Sequence, residues 1–186
     1  MVFWVYSEFK DAEGRATRGY RVFNLYQRSK DPKRSDLVEE SPAQFFQGAT
    51  VPRAGVIIPD RRLQGKLLAV VAGGAFAKVR TTNYSLLSNP DNDRYQNCTE
   101  HVLNVLFAAL YNTSDMAELK ANISAYFQPH PIALSPLVRA FGPVFSKGVR
   151  LDDQTQGVKV ATFSSIARFM QRHDLAERIY DHRLRG

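Results

Sequence analysis

The chain has 186 residues, 44% hydrophobic and 23% charged, with a formal charge of +7 at pH 7 and a pI near 9.7; this fits one domain, 1–186, with enough apolar material for a core. Its longest apolar stretches, 67–77 and 102–110, fall short of the about 20 residues that a membrane-crossing helix needs, and its single cysteine excludes an intramolecular disulfide or a multi-cysteine zinc site. The basic residues are scattered, with local runs only at 30–34 and 178–185 and no interleaved aromatics, so no specific nucleic-acid binding is expected.

Residues 1–9 are aromatic and β-branched, lack a basic n-region and a cleavage site, and read as a strand, not as a secretory signal. Residues 19–26 (GYRVFNLY) repeat that character, which predicts a hairpin turning at Glu13-Gly14. A polar loop over 30–42 with two prolines leads to the paired rings Phe45-Phe46. Residues 55–58 (GVII) form a buried strand, and Pro59-Asp60 open a helix to Ala72. In that helix Leu63, Leu67, Leu68 and Val71 share one face, and Gly73-Gly74 stop it. Residues 78–87 read as extended chain.

NPDND at 89–93 is a turn, and 97–111 is the strongest helix, with Val102, Leu103, Val105, Leu106, Ala109 and Leu110 in a wide apolar stripe. A further helix spans 114–126 with Ser114 as N-cap, followed by a proline-rich connector at 128–136. VKVAT at 158–162 is a strand, and 164–172 begins a last helix with Ile166 and Phe169 inward. These patterns predict an α+β fold in which one antiparallel sheet, built from 1–9, 19–26, 55–58, 84–87 and 158–162, carries the 97–111 helix on one face.

Cys98 lies where a polar turn meets the first turn of that helix, with Asn97 as N-cap. Backbone N–H groups and the positive end of the helix dipole converge there and stabilise a thiolate or a developing oxyanion. A thiol hydrolase needs its nucleophile at such a place. The competing reading is a small buried core residue.

The run NYSLLSNPDNDRYQNCTEHVLNVLFAA at 83–109 resembles the hallmark segment of a bacterial family known as domain of unknown function 2145, whose members carry Tyr-Gln-Asn-Ser/Cys ahead of an apolar helix. FNLYQ, SDLVEESPAQFF and GVIIPDRRLQGKL upstream, and VKVATFSSIARFM downstream, are similar to further segments of that family. The family in turn resembles the circularly permuted papain-like group, which includes NlpC-type cell-wall peptidases and relatives of lecithin:retinol acyltransferase. Asn97-Cys98-Thr99-Glu100-His101 is similar to the Asn-Cys-Glu-His signature of the latter. The resemblance implies a permuted papain-like fold with Cys98 as nucleophile, in a cysteine hydrolase or acyltransferase that cleaves an amide or ester bond of cell-wall peptide or lipid. It also implies a periplasmic or secreted location, with the cytoplasm remaining open.

A thiolate needs a histidine base within hydrogen-bond reach. The resemblance places it at or just before Met1, in a His-x-x-aromatic pattern, and the first strand has no histidine. The base is therefore upstream, replaced, or supplied by His101, one turn along the helix from Cys98, or by His130; His173 and His182 are expected in a polar, exposed C-terminal helix. Asn24 is the candidate orienting residue if position 1 stands opposite residue 26. Gln96 with the Cys98 N–H is the candidate oxyanion hole, and Tyr95 is a candidate for the cleft wall. No metal-ligand spacing or phosphate loop is present, so neither metal nor cofactor is expected. The alternative function is a catalytically silent monomer that uses the same cleft to bind a peptide or protein.

Overall fold

A computed structural model describes residues 1–11, 13–47, 53–135 and 148–183. Pro136, at the end of the expected connector, and 184–185, at the end of the second basic run, lie outside the described residues. The fold is mixed α and β, with small antiparallel sheets and six helices among the described residues.

Strands β1 (Phe3–Lys10) and β2 (Ala16–Gln27) form the expected hairpin. Alternation turns Phe3, Val5 and Phe9 inward and leaves Trp4, Tyr6 and Glu8 outside. Asp11 shapes the turn by accepting the N–H groups of Glu13 and Arg15 at 3.0 and 2.8 Å, and Gly14 takes φ +77° there. Strand β3 (Ser35–Glu40), expected as loop, pairs antiparallel with β2 to give the order β1-β2-β3. Helix α1 (Pro42–Phe46) starts in a capping box at Ser41 and lays Phe46 against Trp4 on the outer face of the sheet.

Strand β4 (Arg53–Pro59) runs into α2 (Arg61–Ala72), whose N-cap is Asp60, as the sequence predicts. Leu63, Leu67 and Val71 are buried, whereas Leu68 is exposed. Five residues beyond Leu63 it has turned about 140° round the helix, off the buried face. Gly74, at φ +74°, turns the chain into the short α3 (Ala75–Lys78). There Phe76 packs edge-on against Phe3, Phe23 and His101.

Helix α4 (Cys98–Tyr111) is the centre of the molecule, with every residue from Glu100 to Ala109 buried. It lies against α2, α5 (Met116–Tyr126) and β2, so it is enclosed all round instead of presenting one apolar stripe to a sheet. Asp115, not Ser114, caps α5, accepting the Glu118 N–H at 2.9 Å. Strand β5 (His130–Ile132), within the expected connector, pairs with β6 (Val158–Val160). Helix α6 (Phe163–Arg172) follows, and then β7 (Ala176–Arg183) pairs with β4. Gly55 is required there, since a Cβ at that position would lie 2.6 Å from the Phe163 ring.

Among the described residues the expected single five-stranded sheet is thus replaced by three separate ones, β1-β2-β3, β4-β7 and β5-β6. Residues 84–87 make no ladder: Tyr84 N–H goes to Lys33 O at 2.8 Å and Leu86 N–H to Gly148 O at 2.8 Å. The C-terminal segment is not helical, because Asp174 adopts φ 52° after α6 and turns the chain back onto β4. No helix among the described residues is long and apolar enough to cross a membrane.

Candidate functional site at the start of the buried helix

Asn97, extended at φ −116°, accepts the N–H groups of Thr99 and Glu100 at 3.0 and 2.9 Å and donates Nδ2–H to Leu86 O at 3.0 Å. This cap holds the first turn of α4 to the 85–88 loop and leaves the Cys98 N–H to whatever lies at the helix end. Cys98 is a free, partly exposed thiol. The Met1 amino nitrogen stands 3.4 Å from its Sγ, so the head of β1 abuts the sulfur. Tyr84 is buried close by, and its hydroxyl is pushed up to about 12 by burial first and the charge on Cys98 second. Tyr26 is raised for the same first reason, then by its 2.7 Å hydrogen bond to Glu40, with Cys98 the smallest influence.

The residues expected around the sulfur are placed differently. β1 and β2 pair Phe3 with Phe23, so the register carries position 1 opposite residue 25, not 26. The turn is centred on Glu13 instead of between Glu13 and Gly14, which shifts the pairing by one residue, and a one-residue slip reverses the faces. Asn24 consequently stands across from position 2, buried, with its Oδ1 accepting the Leu25 N–H at 2.8 Å. It does not share a face with position 1.

Gln96 is 0% exposed, and both ends of its amide are used: Oε1 accepts the Thr81 N–H at 3.0 Å and Nε2 donates to Val79 O at 3.1 Å. It clamps the chain entering the site, with one amide N–H spent on Val79 O, and it is buried away from solvent. His101 is 1% exposed, packed 4.6 Å from the Phe76 ring, with neither ring nitrogen hydrogen-bonded. Burial, helped by the Arg80 charge, lowers its pKa to about 3, against a weaker opposing pull from the Val79 carbonyl. An imidazole that basic only below the physiological range is a poor acceptor for a thiol proton. His130 on β5, His173 at the end of α6 and His182 on β7 are exposed, and the hydrogen-bonding neighbours of the Cys98 sulfur are the Met1 amino group and the Thr99 hydroxyl. Tyr95 donates its hydroxyl to Asp152 at 3.1 Å.

The sequence reading misses a buried ion pair. Lys120 of α5 donates to Glu100 Oε1 at 2.6 Å, Asn104 Oδ1 at 3.1 Å and Pro90 O at 3.2 Å. The only sequence signal is polarity at Glu100 and Asn104 on an otherwise apolar helix. Among the described residues no group of three His, Cys, Asp or Glu is placed to hold a metal ion.

The sequence profile of DUF2145, uncharacterized proteins conserved in bacteria, matches residues 1–170. The chain belongs to this family. No curated protein and no solved structure matches it. The DUF2145 match takes in the hairpin, the Asn97-Cys98 turn and the Lys120 pair, and stops within α6, before β7.

Proposed function

We propose that Cys98 is the nucleophile of a hydrolase or acyltransferase of permuted papain-like plan, acting on an amide or ester bond of cell-wall peptide or lipid in the periplasm or outside the cell. The observation that carries this reading is the position of the sulfur. It is partly exposed at the capped start of a buried helix, with the head of β1 in contact with it. In the reaction the thiolate attacks the carbonyl carbon, and the oxyanion is stabilised by the Cys98 N–H and the helix dipole. The amine or alcohol leaves with a proton, and water or an acceptor hydroxyl then cleaves the thioester.

None of the described histidines is hydrogen-bonded to Cys98, whose side-chain neighbours are the Met1 amino group and the Thr99 hydroxyl, and His101 is buried and neutral. That observation favours a second reading, a silent cleft that binds peptide or protein. Installing a histidine at the head of β1, at Met1 or immediately before it, tests the two. On the first reading, hydrolysis of a panel of cell-wall peptides and acyl esters rises by roughly 10² or more, the usual worth of general-base help, and Cys98→Ala abolishes it. Absence of hydrolysis in every version, with ligand binding intact in Cys98→Ala, selects the second.

A further inference from the structure

The outer face of the β1-β2-β3 sheet, opposite the face on which Phe3 and Phe23 meet Phe76, carries a row of rings left in water. Alternation and register put Trp4, Tyr6, Glu8 and Lys10 of β1 on it, with Val22, Tyr20, Arg18 and Ala16 of β2 opposite them in that order. Helix α1 closes one end, where Phe46 lies 5.7 Å from Trp4 and Val22 is fully buried. Beyond that end Trp4 is 45%, Tyr20 53% and Tyr6 61% exposed. Tyr20 stands between the other two, its ring centroid 6.0 Å from Trp4 and 5.2 Å from Tyr6, with planes at 47° and 67°.

Cross-strand packing steadies such rings but does not require three of them to stay half in water, and clustered exposed rings mark a binding surface. Two features select the occupant. The charges on this face balance: Glu8 pairs with Arg18 at 3.3 Å and Asp36 with Arg28 at 2.7 Å, while Glu40, bonded to the Tyr26 hydroxyl, and Lys10, at the turn, cancel from opposite ends. A face with no net charge suits an uncharged ligand, not an acidic polymer or an anionic membrane. The area is also small. Three rings of roughly 200 Å² each, about half exposed, offer about 300 Å², against the about 800 Å² per partner of a stable protein interface. A second copy of the chain is therefore a poor fit.

We propose that Trp4, Tyr20 and Tyr6 form a platform for an uncharged glycan, a chain of hexopyranose units. A pyranose ring turns a flat face of C–H groups towards an aromatic ring and carries hydroxyls round its rim. The three side chains supply the stacking surface. The Tyr6 and Tyr20 hydroxyls, which make no hydrogen bond among the described residues, and the Glu8–Arg18 pair at the end of the row supply donors and acceptors for the rim. Because Tyr20 is braced by a ring on either side, little side-chain freedom is lost on binding. The platform is separate from Cys98 and does not rest on its being a nucleophile.

Trp4 is the only tryptophan of the chain, so its fluorescence reports on the platform directly. Titration with cellohexaose and with the hexamer of N-acetylglucosamine should give a saturating change for at least one of them. The expected Kd is about 1 mM or tighter, unmoved by added salt. Tyr6→Thr and Tyr20→Thr, which keep a strand-forming residue at exposed positions, should each weaken binding roughly tenfold or more. No saturation with either sugar, or saturation that both variants leave intact, overturns the proposal. So does an affinity that falls steeply with salt, which marks recognition by charge. A dimer forming with rising protein concentration, or partition onto phosphatidylcholine vesicles, lost in Tyr20→Thr and with no sugar bound, gives the face to a second copy or to lipid and likewise overturns it.

Discussion

The Met1 amino nitrogen and the Cys98 sulfur, 97 positions apart in the chain, stand 3.4 Å from each other. The contact joins the first strand to the first turn of the buried helix. It fixes which part of the hairpin can serve the thiol, namely its head and not Asn24, which the register turns to the opposite face. A base for Cys98 is therefore to be sought or installed at that head.

Asn97 is the residue on which the site depends most locally. Asn97→Ala removes acceptors for two N–H groups and the donor to Leu86 O. A stability loss of about 1–2 kcal/mol is expected by denaturant titration. Iodoacetamide should also alkylate Cys98 more slowly in the folded variant, because the helix end is frayed. Unchanged alkylation would mean that the cap does not shape the thiol's surroundings.

His101 gives a pH prediction with a definite sign. Its folded pKa, about 3, is below the ordinary 6.5, so the neutral ring contributes stability that is present above about 6.5 and lost as the pH falls towards about 3. His101→Phe, which keeps a ring against Phe76, should flatten this part of the stability–pH curve relative to the unmodified protein. It should leave Cys98 alkylation at neutral pH unchanged. A large fall in alkylation would restore His101 as the base.

Breaking the Glu100–Lys120 pair from one side leaves a buried carboxylate with no counter-charge. Lys120→Met is expected to cost about 3–5 kcal/mol, and Lys120→Met combined with Glu100→Gln should recover much of it. A double variant no more stable than Lys120→Met would show that the pair is not the seat of the loss.

Gln96→Ala separates a clamp from an oxyanion donor. Loss of the bonds to Thr81 N–H and Val79 O should lower stability by about 1–3 kcal/mol. The acylation rate of Cys98 in the folded fraction should stay within a few-fold. A fall of roughly 10² would mark Gln96 as a participant in transition-state stabilisation.

Much of this architecture is legible in the sequence where one face is apolar and the ends are marked. The hairpin, α2 after Asp60, and α4 after Asn97 all carry both signals. β3 and β7 are not legible, because SDLVEE and AERIYDHR are edge strands whose charged residues break the alternation. The sequence likewise locates Cys98 at its helix start. It cannot show that Gln96 is bonded to Thr81 and Val79, or that Lys120 is buried against Glu100, since those partners lie 15 to 20 positions away.

The most direct test of Cys98 as nucleophile is the rate at which an activated ester such as p-nitrophenyl acetate acylates it, followed by mass spectrometry as the thioester on Cys98. In the folded protein the thioester should form at least roughly tenfold faster than in the urea-unfolded chain at the same pH, since the helix end and the Cys98 N–H stabilise the oxyanion only when folded, and no adduct should form at that position in Cys98→Ala. A rate in the folded protein equal to or below that of the unfolded chain would contradict the assignment.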